Sequence, residues 1–309
     1  MELRHLRYFV ITAQMESFTK AARALHIAQP PLGQQIRALE EEIGTSLFHR
    51  QGRGVVLSDA GRVFLGSAVE ILARVDEAKR AALRAARGEV GTLALGFTES
   101  ASFNEVVTSL ISRYQHMNPD VAVTLVEDDS ESLIRRLSAK ELDAAIVRPP
   151  FSVTGDLVMQ MLSEERLMVV LPKQHHLSHR DLIDLSDLSE ERFILYTRKS
   201  GYGLSADIVA ACRNKGFSPN ICQQAPQVSS AVNLVSAGLG VAIVPASMQR
   251  MQRPDLHFVA LELEWPTATL ELATRATPSK VTERLRLCAS GGGYSSEQTF
   301  GVSVVDIGR

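Results

Sequence analysis

The chain has 309 residues, of which 45% are hydrophobic and only 6% aromatic, so it can form more than one domain with mainly aliphatic cores. Its formal net charge of −2 means that any nucleic-acid surface must be a local patch. Three scattered cysteines exclude a disulfide scaffold or zinc cluster, and without a signal peptide or an 18-residue apolar run we expect a cytoplasmic protein that does not contact membranes.

Residues 1–58 begin with two short amphipathic helices. Apolar residues recur at helical spacing from Leu6 to Ala13 and again from Phe18 to Leu25. Ser17, just before the second run, is a typical helix N-cap.

Pro30 and Pro31 predict the start of a third helix, and Gly44 predicts its end. Its predicted buried face consists of Leu32, Ile36, Leu39 and Ile43. Two short apolar strands around residues 51–54 then predict a β-hairpin. Together, residues 1–58 are predicted to form a winged helix-turn-helix.

The outward face of the third helix is predicted to read base edges in a DNA major groove. Gln34 can pair with adenine and Arg37 with guanine, while Gly33 permits a close approach. Arg53, at the tip of the wing, suits the minor groove. A solvated polar face is the alternative interpretation. The predicted DNA-contacting residues are Thr19, Lys20, Gln29, Pro30, Pro31, Gly33, Gln34, Gln35, Arg37, Arg50 and Arg53.

Residues 59–90 predict a long linker helix with an apolar repeat of alternating four- and three-residue steps. This heptad pattern is typical of a coiled coil, although it also fits a helix that packs on its own domain. Because the helix is long and joins two domains, we expect it to form a homodimer. The predicted seam consists of Phe64, Ala68, Ile71, Val75, Ala78 and Ala82.

Residues 91–288 alternate between predicted strands and helices. This order predicts an α/β fold with a largely parallel sheet and enough chain for two lobes. Ligands of open α/β sheets bind at the carboxyl ends of strands. Residues 289–309 are rich in Gly and Ser at their start, and we expect a poorly ordered tail.

Several segments resemble LysR-type transcriptional regulators. The resemblance is dense at residues 1–9 (MELRHLRYF), 17–22 (SFTKAA), 27–32 (IAQPPL), 35–40 (QIRALE) and 57–61 (LSDAG), and looser from residue 92 to 285. It implies a transcription regulator that binds an inverted DNA repeat as a homotetramer, a dimer of dimers, and acts on RNA polymerase. The benzoate- and muconate-responsive subgroup is the most similar. That subgroup usually has Ser-Arg where this chain has Gly33-Gln34, so we expect a different operator.

The resemblance also implies a periplasmic-binding-protein-like effector domain, in which a small molecule between two lobes switches the protein without any cofactor or metal. Hydroxyls and N–H groups at helix starts suit a carboxylate, and Arg148 can pair with one. We therefore expect an aromatic or dicarboxylic acid. The implied effector-binding residues are Thr98, Glu99, Ser100, Ser130, Arg148, Tyr202, Leu204 and Val228.

Three features leave this interpretation open. Ser100 and Ser130 also fit plain helix caps. Glu99 would repel an anionic ligand unless it points away or bonds a hydroxyl. Ser163 lies near the position where benzoate-responsive relatives have the arginine of a second effector pocket, so we expect a single site.

Two other functions compete with this prediction. Cys212 and Cys222 suggest a redox-sensing regulator of the same fold. His175, His176 and His179 suggest an enzyme, but the run has no strand-and-helix context for a metal or a catalytic triad. We therefore expect that the protein is not an enzyme.

Overall fold

The computed structural model describes residues 1–52, 54–151, 156–196 and 203–291. The chain divides into two compact units, Met1–Arg84 and Ala85–Arg309. No helix in the described part of the chain is both long and apolar enough to cross a membrane.

The N-terminal unit is a winged helix-turn-helix, as predicted. Its helices are α1 (Leu3–Met15), α2 (Phe18–Ala24) and α3 (Gln29–Ile43), followed by strands β1 (Phe48–Gln51) and β2 (Gly54–Leu57) and by the long helix α4 (Asp59–Ala86). Strands β1 and β2 pair antiparallel, with Phe48 opposite Leu57. The Ser17 hydroxyl accepts a hydrogen bond from the Lys20 N–H at 3.4 Å and caps α2.

Helix α3 follows the predicted pattern except at its end. Leu32, Ile36 and Leu39 are almost fully buried, and Gly44 ends the helix in the left-handed conformation, with φ of 82°. Ile43, predicted to be buried, is 36% exposed. It is the last residue of the helix, so no further turn of α3 covers it.

The first turns of α4 pack on the domain that precedes them. Phe64 lies 5.1 Å from Phe9 between ring centroids, and Ala68 is fully buried in the same core. A side chain at Gly61 would clash with the Leu47 carbonyl, so α4 approaches this domain at backbone distance. Ala68 is therefore unavailable to a dimer seam, because the winged-helix core covers it, whereas Phe64 is half-buried and its place in the seam stays a prediction.

The helix becomes exposed after these turns. Ile71 is 38% exposed, Val75 is half-buried, and Ala78 and Ala82 are exposed. From Ile71 onward, the predicted seam residues therefore remain accessible.

The first lobe of the C-terminal unit has a five-stranded sheet in the order β4-β3-β5-β13-β6. Its strands are β3 (Gly91–Phe97), β4 (Val121–Glu127), β5 (Ala144–Val147), β6 (Leu157–Glu165) and β13 (Ala268–Arg275). Helices α5 (Glu105–Met117), α6 (Ser130–Ser138) and α9 (Lys280–Ser290) contribute to its two hydrophobic cores.

The second lobe has a four-stranded sheet in the order β11-β7-β12-β8, and a parallel pair of β9 and β10 beside it. Its strands are β7 (Leu167–Pro172), β8 (Leu182–Asp184), β9 (Arg192–Tyr196), β10 (Asn220–Ala225), β11 (Ala242–Pro245) and β12 (Leu256–Glu262). Helices α7 (Leu204–Asn214) and α8 (Val228–Ser236) pack against these strands.

The α/β class and the two lobes are as predicted, but the sheets are mixed rather than largely parallel. Strand β13 pairs antiparallel with β5 and β6, and β7 pairs antiparallel with β11 and β12. The chain passes from the first sheet to the second between β6 and β7 and returns between β12 and β13, and the returning strand β13 lies antiparallel to both of its neighbours.

The start of α5 is set by local capping, and one predicted boundary, the start of the tail, differs. A 3-10 helix, Glu99–Phe103, precedes α5, and Asn104 caps α5 by accepting from the Val106 N–H at 2.9 Å. Ala289 and Ser290, assigned to the tail, belong to α9, because Ala289 packs against the core of the first lobe. The rest of the predicted tail, from residue 292, lies outside the described residues.

Candidate functional site

The predicted DNA-reading residues of α3 lie on its solvent side. Pro30, Pro31, Gln34 and Arg37 are exposed, and Gly33 is half-buried. A side chain added at Gly33 would meet no atom of the chain within 4 Å. The helix therefore presents a narrow, open surface with one amide and one guanidinium group on it.

Two hydrogen bonds tie the flanking helices to α3. The Thr19 hydroxyl donates to Gln29 Oε1 at 3.0 Å, and His5 Nε2 lies 2.8 Å from Gln35 Oε1. These bonds hold Gln29 and Gln35 in place beside the exposed face. Lys20 and Arg50 are exposed, whereas Arg53 lies outside the described residues.

The C-terminal unit contains a cavity of about 360 Å³. Six of the predicted effector-binding residues line it, namely Thr98, Glu99, Ser100, Arg148, Leu204 and Val228. They come from the carboxyl ends of β3 and β5 and from the starts of α7 and α8. Tyr202, also predicted, lies outside the described residues.

Sequence reasoning missed a larger part of the lining. The missed residues are Glu127, Asp128, Asp129, Tyr196, Gly203, Ser205, Pro226, Gln227 and Pro245. Most of them follow the ends of β4, β9, β10 and β11. The signal that points to them is their place directly after a strand, because ligands of α/β sheets bind at carboxyl strand ends.

Ser130 is fully buried and does not line the cavity. Its hydroxyl accepts from the Arg148 backbone N–H at 3.2 Å and lies the same distance from the Arg148 carbonyl oxygen. The expectation of direct ligand contact is therefore wrong for Ser130. It fixes the backbone of Arg148 instead.

Arg148 is only 5% exposed, and its guanidinium group already has several partners. Nε donates to the Ser100 hydroxyl at 3.0 Å, one terminal nitrogen donates to the Ala268 carbonyl at 3.0 Å, and the other donates to Glu165 at 2.8 Å. The positive charge of Arg148 is thus balanced within the protein. This differs from the free bidentate partner that the sequence suggested.

Glu165 completes this buried pair. Burial disfavours the charged form of Glu165, but the Arg148 charge and hydrogen bonds from Ser247, Arg148 and Asn104 outweigh it and lower the pKa of Glu165. One carboxylate oxygen accepts from the Ser247 backbone N–H at 2.8 Å. The pair therefore behaves as a fixed, neutral unit behind the cavity.

The carboxylate of Glu99 lies at the start of a helix, the kind of position that suits a ligand carboxylate. Its Oε1 accepts from the backbone N–H of Ser229 at 3.1 Å, in the first turn of α8. The start of a helix attracts negative charge, and the protein's own carboxylate already lies there.

Three more carboxylates line the same cavity. Glu127 accepts from the Gln227 amide at 3.2 Å, and Asp129 caps α6 by accepting from the Ser132 N–H at 2.9 Å. Burial of Asp128 disfavours its charged form, but hydrogen bonds from Ser132 and Asp129 and nearby arginines outweigh this effect and lower the pKa of Asp128. Among the described lining residues, four carboxylates therefore face a single arginine that is already paired.

The two cysteines of the redox alternative are free thiols in different environments. Cys212 is buried in the second lobe, and burial raises the pKa of its thiol to about 11, which disfavours the reactive thiolate. Cys222 is exposed and lies 3.4 Å and 3.3 Å from the carbonyl oxygens of Phe193 and Leu239. Both thiols are free.

The histidine run lies in the connection between β7 and β8. His175 Nε2 is 3.2 Å from Glu191, the His175 and His176 rings stack at 4.5 Å, and His175 Nδ1 accepts from the Leu177 N–H at 3.3 Å. Both ring nitrogens of His175 therefore have partners that stabilise the loop.

Ser163, the residue on which the single-site prediction rests, lies on β6. Its hydroxyl accepts from the Asn104 amide at 3.4 Å. The prediction of one effector site stays a prediction.

An N-terminal winged helix-turn-helix followed by a two-lobed domain with a polar cavity defines a class of bacterial DNA-binding regulator. Residues 3–62 match the family model described as the bacterial regulatory helix-turn-helix protein, lysR family, and residues 86–289 match the LysR substrate binding domain. The chain belongs to the LysR family of transcriptional regulators.

Curated relatives agree with this assignment. The chain is 38% identical over 262 residues to the HTH-type transcriptional regulator BudR of Raoultella terrigena, covering 85% of this chain and 90% of BudR. It is 35% identical over 263 residues to the HTH-type transcriptional regulator BenM of Acinetobacter baylyi, covering 84% and 86%. These relatives are transcriptional regulators rather than enzymes.

Solved structures share the fold. The crystal structure of CbnR, a LysR family transcriptional regulator, has a TM-score of 0.84 at 24% identity and covers 94% of this chain and 100% of CbnR. CbnR has also been solved in complex with its target DNA, with a TM-score of 0.80.

Proposed function

We propose that this DNA-binding regulator recognises a specific inverted repeat through α3 and responds to a small molecule bound in the cavity of its C-terminal unit. The cavity carries the proposal. It gathers strand ends and helix starts from both lobes, which is where α/β proteins bind ligands.

The exposed face of α3 supports the first half. Gln34 matches adenine and Arg37 matches guanine, and each correct pair is worth about 1–3 kcal/mol of discrimination. Because Gly33 has no side chain, α3 can approach the edge of the DNA groove closely. Thr19, which bonds Gln29 of α3, and the exposed Lys20 and Arg50 can contact phosphates.

Self-association supports recognition of two half-sites. We assign the dimer seam to the exposed stretch of α4 that contains Ile71, Val75, Ala78 and Ala82. Two such dimers would form a tetramer that bends promoter DNA and alters its use by RNA polymerase.

Ligand binding must favour one arrangement of the two lobes over another in order to switch the protein. The aromatic or dicarboxylic acid suggested by the sequence has two kinds of donor here, the Ser100 hydroxyl and the remaining N–H groups of Arg148. The four carboxylates of the cavity oppose such a ligand.

Electrophoretic mobility shift with the gene's own upstream region, at low salt, tests the DNA half. We expect saturable binding that an unlabelled copy of the same duplex displaces and that unrelated DNA does not. Equal displacement by both competitors would refute sequence-specific recognition. Addition of a ligand that raises the melting temperature should change the shift pattern, and an unchanged pattern would refute the switch.

A further inference from the structure

We propose that the cavity takes a small organic cation, such as a protonated amine, rather than a carboxylic acid. This inference rests on the proposed role of the cavity as the ligand site. The charges on the cavity walls select this ligand class.

The cavity lining carries more negative than positive charge among its described residues. Glu99, Glu127, Asp128 and Asp129 line the cavity, and the single described cation in the lining is Arg148. Glu165 lies within 2.8 Å of Arg148 and balances it. Asp128 has Arg136 at 3.8 Å, outside the lining, so Glu99, Glu127 and Asp129 are the lining carboxylates without a cationic partner among the described residues. These three would repel a bound anion and attract a bound cation.

Backbone N–H groups at two helix starts near the cavity already bind carboxylates of the protein. The N–H of Ser229, at the start of α8, donates to Glu99, and the N–H of Ser132, near the start of α6, donates to Asp129. Helix starts are the sites at which proteins bind ligand carboxylates, and side chains of the protein occupy those of α6 and α8. A ligand carboxylate at either of these would have to displace a side chain of the protein, and only the start of α7, at Gly203, lines the cavity without a side-chain cap among the described α-helices.

The buried hydroxyl of Thr98 lacks a hydrogen-bond partner among the described residues. Thr98 lines the cavity and is 2% exposed. A buried hydroxyl is costly to leave unpaired. An ammonium group or a bound water can satisfy its oxygen. Leu204, Val228 and Pro245 provide an apolar wall for a short carbon frame.

Isothermal titration calorimetry and thermal shift on the full chain test the inference with matched probes. Benzylamine, benzyl alcohol and benzoate share one frame, and 1,4-diaminobutane, 1,4-butanediol and succinate share another. We expect saturable binding and a raised melting temperature with at least one amine, and no binding of either carboxylate.

Two substitutions test whether the amine binds next to the carboxylates of the cavity. Gln at position 99 keeps an oxygen for the Ser229 N–H, and Asn at position 129 caps a helix as well as Asp does, so the double variant E99Q/D129N retains the fold. We expect amine affinity to fall at least about tenfold, since two attractive charges are lost. The variant E131Q, which changes a carboxylate of α6 outside the cavity lining, should bind as the unmodified chain does.

Three results would overturn the inference. One is binding of benzoate or succinate without binding of their amine counterparts. The second is amine affinity unchanged in E99Q/D129N, which would place the cation elsewhere. The third is carboxylate binding that disappears in R198Q/K199Q, because residues 197–202 lie outside the described residues and carry two cations. If no probe of any class binds, the ligand role of the cavity fails as well, so the two failures are distinguishable.

Discussion

Gly33 lies in α3, where the fold does not require glycine. Its backbone is not in the left-handed region, and an added side chain would meet nothing within 4 Å. Ala should therefore stabilise α3 by about 1 kcal/mol. We expect G33A to raise the melting temperature and to weaken operator binding about tenfold, because the new methyl group lies on the surface that faces the groove.

Gly66 provides the control for this prediction. It lies in α4, is exposed, and has equally open surroundings. G66A should give a similar gain in stability and leave operator affinity unchanged, as measured by fluorescence anisotropy. Equal operator affinity of G33A and the unmodified chain would show that Gly33 does not face the DNA.

The Arg148–Glu165 pair predicts a specific pH dependence of stability. Loss of the Glu165 charge leaves Arg148 buried without its partner, so E165Q should lower the free energy of unfolding at pH 7 by about 3–5 kcal/mol. The folded state lowers the pKa of Glu165 below its ordinary 4.5. Its contribution is therefore complete above pH 4.5 and is lost as the pH falls towards the lowered pKa.

Urea unfolding of E165Q and the unmodified chain, over a series of pH values from 7 downward, measures this effect. The difference between the two should shrink as the solution becomes acidic. E164Q is the control, since Glu164 is exposed and accepts from the Thr267 hydroxyl at 2.7 Å rather than from a buried cation. A difference that stays constant across the series would mean that the charge of Glu165 does not stabilise the fold.

At the scale of single residues, the sequence located the cavity residues better than it assigned their interactions. Strand-to-helix junctions place Ser100 and Arg148 at the cavity, because strand ends and helix starts can be located from local patterns. The partners of these residues come from distant parts of the chain. Glu165 and Ala268 approach Arg148 through sheet pairing, which no local pattern encodes, and so the pairing of Arg148 was not foreseen.

At the scale of elements, helices were predicted more fully than strands. The apolar spacing of α3 and the proline pair at its start are local signals, and α3 begins and ends close to the predicted residues. The antiparallel pairing of β13 with β6 and of β12 with β7 was not predicted. This pairing depends on contacts between segments about a hundred residues apart, as in the pairing of Thr274 with Val158.

In helix α4, one heptad pattern covers both residues that pack on the winged helix and residues that are exposed. The same heptad spacing covers Phe64 and Ala68, which pack on the winged helix, and Ala78 and Ala82, which are exposed. We expect A78E to place like charges across a two-fold seam, at a cost of several kcal/mol, and to lower the mass of the assembly. Sedimentation velocity over a range of concentrations measures this change.

Ala73 provides the matched control on the same helix. It is also exposed, and at 100° per residue it lies on the opposite side of α4 from the seam. A73E should keep the mass of the unmodified chain, and both variants should retain their helical circular dichroism. If A78E also keeps that mass, the exposed stretch of α4 is not the seam.

At the scale of the whole molecule, a chain of net charge −2 must bind DNA through a local surface. Residues 1–58 carry seven Lys and Arg against five Asp and Glu, so the rest of the chain is the more acidic part. Each neutralised phosphate contributes about 0.9 to the slope of log affinity against log salt. If two winged helices bind together, the slope on a complete inverted repeat should be about twice that on a duplex in which one half-site is scrambled.

Fluorescence anisotropy from low to physiological salt, on the two duplexes, measures these slopes for the full chain. A78E supplies the control, because a protein that binds as single subunits should give the same slope on both duplexes. Equal slopes for the unmodified chain would mean that one winged helix carries the binding. That result would contradict the two-fold model, even if the protein were dimeric in solution.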